Sequence, residues 1–140
     1  MPRCKYLVFC SLFLLIGHVL VKASNPWPIA IQALEDKDYL LADSLLADII
    51  TEFPSRPEAH LYRAQSRYWL KDYEQALYHL SLANPPSQQM GRAEILRAYC
   101  HYNLGEIDKA RYIMEDIVLH YEELRDSARA FLVSYHRESE

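Results

Sequence analysis

The chain is predicted to be all-α: an array of about three helix–turn–helix repeats closed by a C-terminal capping helix. Three observations carry this prediction. The segments Asp38-Tyr39-Leu40-Leu41-Ala42, Asp72-Tyr73-Glu74-Gln75-Ala76 and Glu106-Ile107-Asp108-Lys109-Ala110 align without gaps, with their alanines 34 residues apart. The same offset pairs Leu46 with Leu80 and Met114, Ile49 with Ala83 and Ile117, Leu61 with Ile95, Ala64 with Ala98, and Tyr68 with Tyr102. A fixed period of this size marks units that bury their apolar faces only by stacking. Within each unit the apolar residues follow helical spacing: Ala42, Leu45, Leu46, Ile49, Ile50 and Phe53, then Ala110, Ile113, Met114, Ile117, Val118 and Tyr121. No segment alternates with a period of two, and three Gly in 140 residues are too few for a many-stranded β protein or a phosphate-binding loop.

The first 23 residues differ in kind. Arg3 and Lys5 precede an apolar run from Leu7 to Val21, and Val21-Lys22-Ala23 offers a cleavage site. This is the order of a secretory signal peptide, and the run is shorter than the ~20 residues of a membrane span. Residues 1–23 are therefore expected to direct export, with cleavage after Ala23. The alternative is an uncleaved anchor that keeps residues 7–21 as a tether. Losing residues 1–23 removes Arg3, Lys5 and Lys22 and no acid, which moves the net charge from −4 to −7. An acidic body should repel nucleic acid and anionic membrane surfaces. Cys4 and Cys10 leave with the segment, so Cys100 has no intramolecular partner and the domain must rest on an apolar core. The lack of an Asn-x-Ser/Thr site fits a bacterial periplasm.

Residues 24–140 form the repeat domain, with units at about 23–56, 57–90 and 91–124 and a capping helix over 125–138. Unit one opens with a short helix beginning Pro26-Trp27-Pro28 and looks thinly covered around Trp27. Asp38 and Asp72 stand where a side-chain oxygen must cap the second helices of units one and two. Pro54 and Pro57 end one helix and start the next, as Asn84-Pro85-Pro86-Ser87 does between units two and three. Gly105 permits the tight turn inside unit three. Ala128, Phe131, Leu132 and Tyr135 give the last helix its apolar face. Asp43, Glu74 and Glu115 are expected on outer faces that tolerate change.

These periodic residues resemble the tetratricopeptide repeat family. Small residues stand at the helix contacts (Ala64 and Ala98; Ala42, Ala76 and Ala110), and Pro54 closes the first unit. The resemblance covers about residues 25–140, and this chain departs from the usual pattern at Arg63, Arg97, Arg67 and His101. It implies a right-handed superhelical array whose first helices line a concave groove. The groove positions fall on Leu61, Gln65, Tyr68 and Trp69 in unit two and on Ile95, Tyr99, Tyr102 and Asn103 in unit three. Arg129, Val133 and His136 of the capping helix extend the set. Tyr68 and Tyr102 share a repeat slot and fit inter-helix packing as well as a groove; Trp69 and Tyr99 have no counterpart and are the favoured anchors. Aromatic rings with polar tips suit a protein or peptide partner. The resemblance implies an exported interaction module: an adaptor, scaffold or assembly factor of a bacterial envelope complex, or, if the tether is kept, a structural component anchored to the inner membrane. Self-association is a further option.

Arg63, Arg67, Arg97 and His101 recur along two helices. They are expected to pair with acids such as Asp72 and Glu94 rather than to form a basic strip. Cys100 and His101 are adjacent, so on a helix they point about 100° apart and make no nucleophile pair. Cys100 reads as a small buried hydrophobe. No catalytic motif occurs, and the histidines show no ligand spacing on one helix face, so no enzyme, metal, cofactor or small-molecule substrate is expected.

Overall fold

The computed structural model describes residues 25–138; the export segment and its cleavage site lie outside the described residues. Among the described residues seven α-helices follow one another: α1 (Pro26–Glu35), α2 (Tyr39–Glu52), α3 (Pro57–Trp69), α4 (Tyr73–Ala83), α5 (Ser87–Asn103), α6 (Ile107–His120) and α7 (Arg125–Glu138). A 3₁₀ turn, Glu122–Leu124, joins α6 to α7. No strand occurs among the described residues. Helices α1/α2, α3/α4 and α5/α6 are hairpins, and each second helix packs on the next first helix. The array is all-α, as the 34-residue register predicts.

The register works because small residues recur where backbones approach. Ala42, Ala76 and Ala110 are fully buried on the second helices, and Ala30, Ala64 and Ala98 on the first. Ala30 brings unit one into the same register. Leu46, Leu80 and Met114 fill one repeated core slot; Ile49, Ala83 and Ile117 fill another. Core residues are continuous from unit to unit, as stacking requires. The capping helix buries Ala128 and lays Phe131 and Leu132 against Ala98, Met114 and Ile117. Trp27 is better covered than the sequence suggests: Tyr62 meets it edge-on at 5.6 Å, and the Arg56 guanidinium lies 3.9 Å over its ring.

All three turns inside the units share one geometry. Lys37, Lys71 and Gly105 have φ of 62°, 63° and 76° and stand 34 residues apart. In each turn this residue's N–H reaches back to the carbonyl three residues earlier (Leu34, Tyr68, Tyr102). The next N–H reaches the carbonyl five residues earlier (Ala33, Arg67, His101). This paired closure ends a helix on a left-handed residue, where glycine carries no steric cost. Only unit three has glycine there. Replacing Lys71 with Gly should therefore stabilise the fold by about 0.5–1 kcal/mol, relief of left-handed strain outweighing the extra freedom of the unfolded chain. Gly105→Ala should destabilise by about 1 kcal/mol. Urea unfolding of both variants checks the opposed signs.

The joint between units two and three departs from the even boundaries expected at 57–90 and 91–124. Helix α4 has 11 residues where α2 and α6 have 14. Asn84 turns left-handed at φ 33°, and Pro85-Pro86 cannot continue the α4 hydrogen bonds. Helix α5 consequently starts at Ser87 and runs 17 residues, against 13 for α3. The extra turn carries Gln88, Gln89 and Met90 ahead of the repeat. The shortened α4 packs on α5 less extensively than on α3. Gly91 lets α5 approach the 3₁₀ turn: a Cβ there would lie 2.6 Å from Leu124 Cδ1 and 2.7 Å from Tyr121 Cδ1.

Candidate functional site

A cleft of about 550 Å³ opens between α3 and α5. From α3 it takes Leu61, Tyr62, Gln65, Tyr68 and Trp69; from α5 it takes Gln89, Arg92, Leu96 and Tyr99. Each set is one helical stripe: steps of one, four, seven and eight residues on α3, and of three, seven and ten on α5. Five of the eight groove positions expected from the sequence line it: Leu61, Gln65, Tyr68, Trp69 and Tyr99.

The other three do not line it. Ile95 packs into the core with Ala98 and Met114. Tyr102 sets its ring edge-on to Phe131 at 5.2 Å. Asn103 Nδ2 donates to the Tyr99 carbonyl at 2.7 Å, back onto its own helix. The physical reason is rotation: the α5 stripe facing the cleft passes through Arg92 and Leu96, one position round from Ile95. Tyr68 and Tyr102 share a slot but meet different neighbours, since Tyr68 faces α5 whereas Tyr102 faces the capping helix.

The aromatic residues support one another. Trp69 is 54% exposed, and its ring stacks on Tyr39 at 5.6 Å with a 12° tilt. Tyr68 meets Trp69 edge-on at 5.3 Å and lies 6.3 Å from Tyr99. Burial pushes the Tyr68 phenol above its ordinary value. Tyr99 meets Phe131 edge-on at 5.6 Å, so one end of it belongs to the core. Of the two favoured anchors, only Trp69 is free to be replaced without touching that core.

Tyr62, Gln89, Arg92 and Leu96 are the lining residues that sequence reasoning missed. Gln89 stands on the extra turn, outside the register. Following the helical stripe back from Tyr99 at steps of three and four would have found Leu96, Arg92 and Gln89. Arg92 is exposed and is the one ionised side chain in the lining. Gln89 Oε1 is buried and has no protein hydrogen-bond partner.

The other cations of α3 and α5 are used within the fold. Asp43 accepts from Arg63 Nε at 3.0 Å and from Arg67 Nη2 at 2.6 Å; Arg67 Nη1 also donates to Asp72 at 2.9 Å. Asp43 is thus no outer-face acid tolerant of change: its side chain is 13% exposed, and it braces α2 against α3. One repeat later, His101 meets Glu106 in the slot of Arg67 and Asp72. Arg97 pairs with Glu94 at 3.3 Å. Burial pushes the Cys100 thiol up to about 12, so it is no nucleophile near neutrality.

A buried histidine pair is a further feature that helix-by-helix spacing could not reveal. His60 on α3 and His79 on α4 meet Nδ1 to Nδ1 at 3.0 Å. His60 Nε2 lies 3.3 Å from the Pro54 carbonyl, which can only accept, so Nε2 carries a proton. With both rings neutral, His60 Nδ1 is then the acceptor and His79 Nδ1–H the donor. Burial, then the nearby Arg63 cation, lower the His79 pKa to about 4. Among the described residues no group of three metal-ligating side chains comes together.

Comparison with known proteins agrees with this geometry. Residues 92–123, from the first helix of unit three to the 3₁₀ turn, match the tetratricopeptide repeat model. Among solved structures, the Sgt2 TPR domain from Aspergillus fumigatus superposes with a TM-score of 0.60. That likeness covers 81% of this chain and 80% of the other at 15% sequence identity. The fold is that of a tetratricopeptide-repeat array. No curated protein gives a significant match. Unit three thus matches a tetratricopeptide repeat in sequence, and the array as a whole matches one in fold. Within that array, the cleft between the first helices of units two and three is the candidate binding site.

Proposed function

We propose that the chain is an exported protein–protein interaction module, an adaptor, scaffold or assembly factor of a bacterial envelope complex, that holds a segment of its partner in the α3/α5 cleft. The observation that carries the reading is the cleft itself: an apolar, aromatic-lined groove whose largest ring, Trp69, is half exposed and held rigid by Tyr39. A pre-ordered aromatic loses little entropy on binding. Export rests on residues 1–23 alone. Among the described residues no helix is long and apolar enough to cross a membrane. A mature N-terminus at Ser24 supports cleavage, whereas one at Met1 favours the anchored form.

A photo-crosslinking residue at Gln65, inside the cleft, should capture the partner in the native envelope. The same residue at Tyr112, exposed outside the cleft, should not. Trp69→Ala should cut capture about thirtyfold, the loss of one hot spot, while the helical circular dichroism stays. Equal capture from both sites would sink the assignment.

A further inference from the structure

The cleft's polar groups are of two unlike kinds. Arg92 is a cation at the exposed rim with no ion pair among the described residues, whereas Arg63, Arg67 and Arg97 are all paired. It is also the lone formal charge among the lining residues, on a chain that is acidic overall. Gln89 lies one helical turn before it on the same face of α5, and its buried Oε1 lacks a protein donor. Buried acceptors are nearly always paired, with protein or with water, and a backbone N–H entering the cleft would satisfy this one. The aromatic rings of Tyr68 and Trp69 face the pair across the cleft.

We propose, building on the cleft as the partner site, that it recognises an internal acidic segment of a partner protein. An aspartate or glutamate side chain of the segment pairs with Arg92, and a backbone N–H nearby donates to Gln89 Oε1. A neighbouring apolar side chain lies on Trp69 and Tyr68. The arrangement favours a side-chain carboxylate over a chain terminus. A terminal residue carries its N–H and its carboxylate on one Cα, only two bonds apart. Here the acceptor is deep and the cation is at the rim, a separation that a side chain spans. A guanidinium takes a carboxylate in a bidentate fork, which gives the site its selectivity.

The test uses the full-length chain and two pools of peptides acetylated and amidated at their ends. The pools have identical randomised apolar flanks and differ only in a central Glu or Gln. A third pool has the Gln centre and a free C-terminal carboxylate. The Glu pool should be retained about tenfold better than the Gln pool, the scale of one charge-assisted bond. Arg92→Gln should erase that preference and Arg92→Lys should keep part of it. Equal retention of the Glu and Gln pools, preference for the free-carboxylate pool, or a preference that survives Arg92→Gln would each overturn the proposal. Crosslinking from Gln65 reports on the cleft separately: capture there without Glu selection leaves the cleft as the partner site and removes only the acidic specificity.

Discussion

Asp43→Ala should lower stability more than loss of any exposed acid, by about 2–3 kcal/mol. Its carboxylate accepts from both Arg63 and Arg67, and those guanidinium groups keep only 19% and 26% of their side-chain surface exposed. Removing one partner of a fully buried pair costs ~3–5 kcal/mol, because the remaining charge is left without compensation. The arginines here retain some water, so the figure falls below that range. For a domain of this size the change corresponds to a drop in melting temperature of roughly 10 °C. Arg63→Ala should cost less, because Arg67 still satisfies Asp43 and Asp72. Glu74→Ala, at an exposed site, should fall within about 0.5 kcal/mol of the parent. Differential scanning calorimetry of the three variants gives the order. An Asp43→Ala melting point equal to that of Glu74→Ala would show that the brace carries no stability.

Acid should weaken the fold through His79. Its pKa is about 4 in the folded chain, against an ordinary 6.5. Above pH 6.5 both states hold His79 neutral and the pair contributes fully. Between pH 6.5 and 4 the unfolded chain takes up a proton that the folded chain refuses, so stability falls as pH falls. Over the whole window the loss is about 3 kcal/mol, at most ~1.4 kcal/mol per pH unit for one proton. The refusal has a geometric basis: the ring is buried, and the added proton would put a cation beside the Arg63 and Arg67 guanidinium groups, with Asp43 already committed to both. Urea unfolding at pH 7, 6, 5 and 4.5 should show this slope. Replacing His60 and His79 together by Leu should remove the His79 part of it, leaving whatever carboxylates contribute. An unchanged slope in the double variant would place the acid sensitivity elsewhere.

Much of the fold was legible because repetition multiplies a weak signal. A single buried alanine says little; Ala42, Ala76 and Ala110 at one spacing identify a helix contact. The capping aspartates and the prolines after α2 were readable for the same local reason. The candidate site was half legible. Positions that follow the register, such as Leu61, Gln65 and Tyr68, lie in the cleft. Ile95, Tyr102 and Asn103 do not, because the α5 stripe that faces α3 is turned one position from the one the register implies. Gln89 and Arg92 belong to or adjoin a turn with no equivalent in the other units. The Asp43 brace and the histidine pair were hidden for another reason. Each joins two helices through side chains 19 to 24 residues apart, and neither pairing recurs: Leu77 stands 34 residues after Asp43, and Glu94 and Ile113 stand 34 after His60 and His79. A pattern that occurs once offers nothing to align.

The short α4 and its two prolines also set how the array comes apart. In a stacked array each unit is held by its neighbours, and opening begins at the thinnest interface. Here the least extensive packing between successive units is that of α4 on α5 across Asn84–Pro86, so opening is expected to separate α1–α4 from α5–α7. The cleft straddles the same line, with α3 on one block and α5 on the other. A segment held in the cleft as proposed would act as a clasp: it would gain affinity only while the blocks are closed, and by mass action it would slow amide exchange throughout both of them, including at residues it never touches.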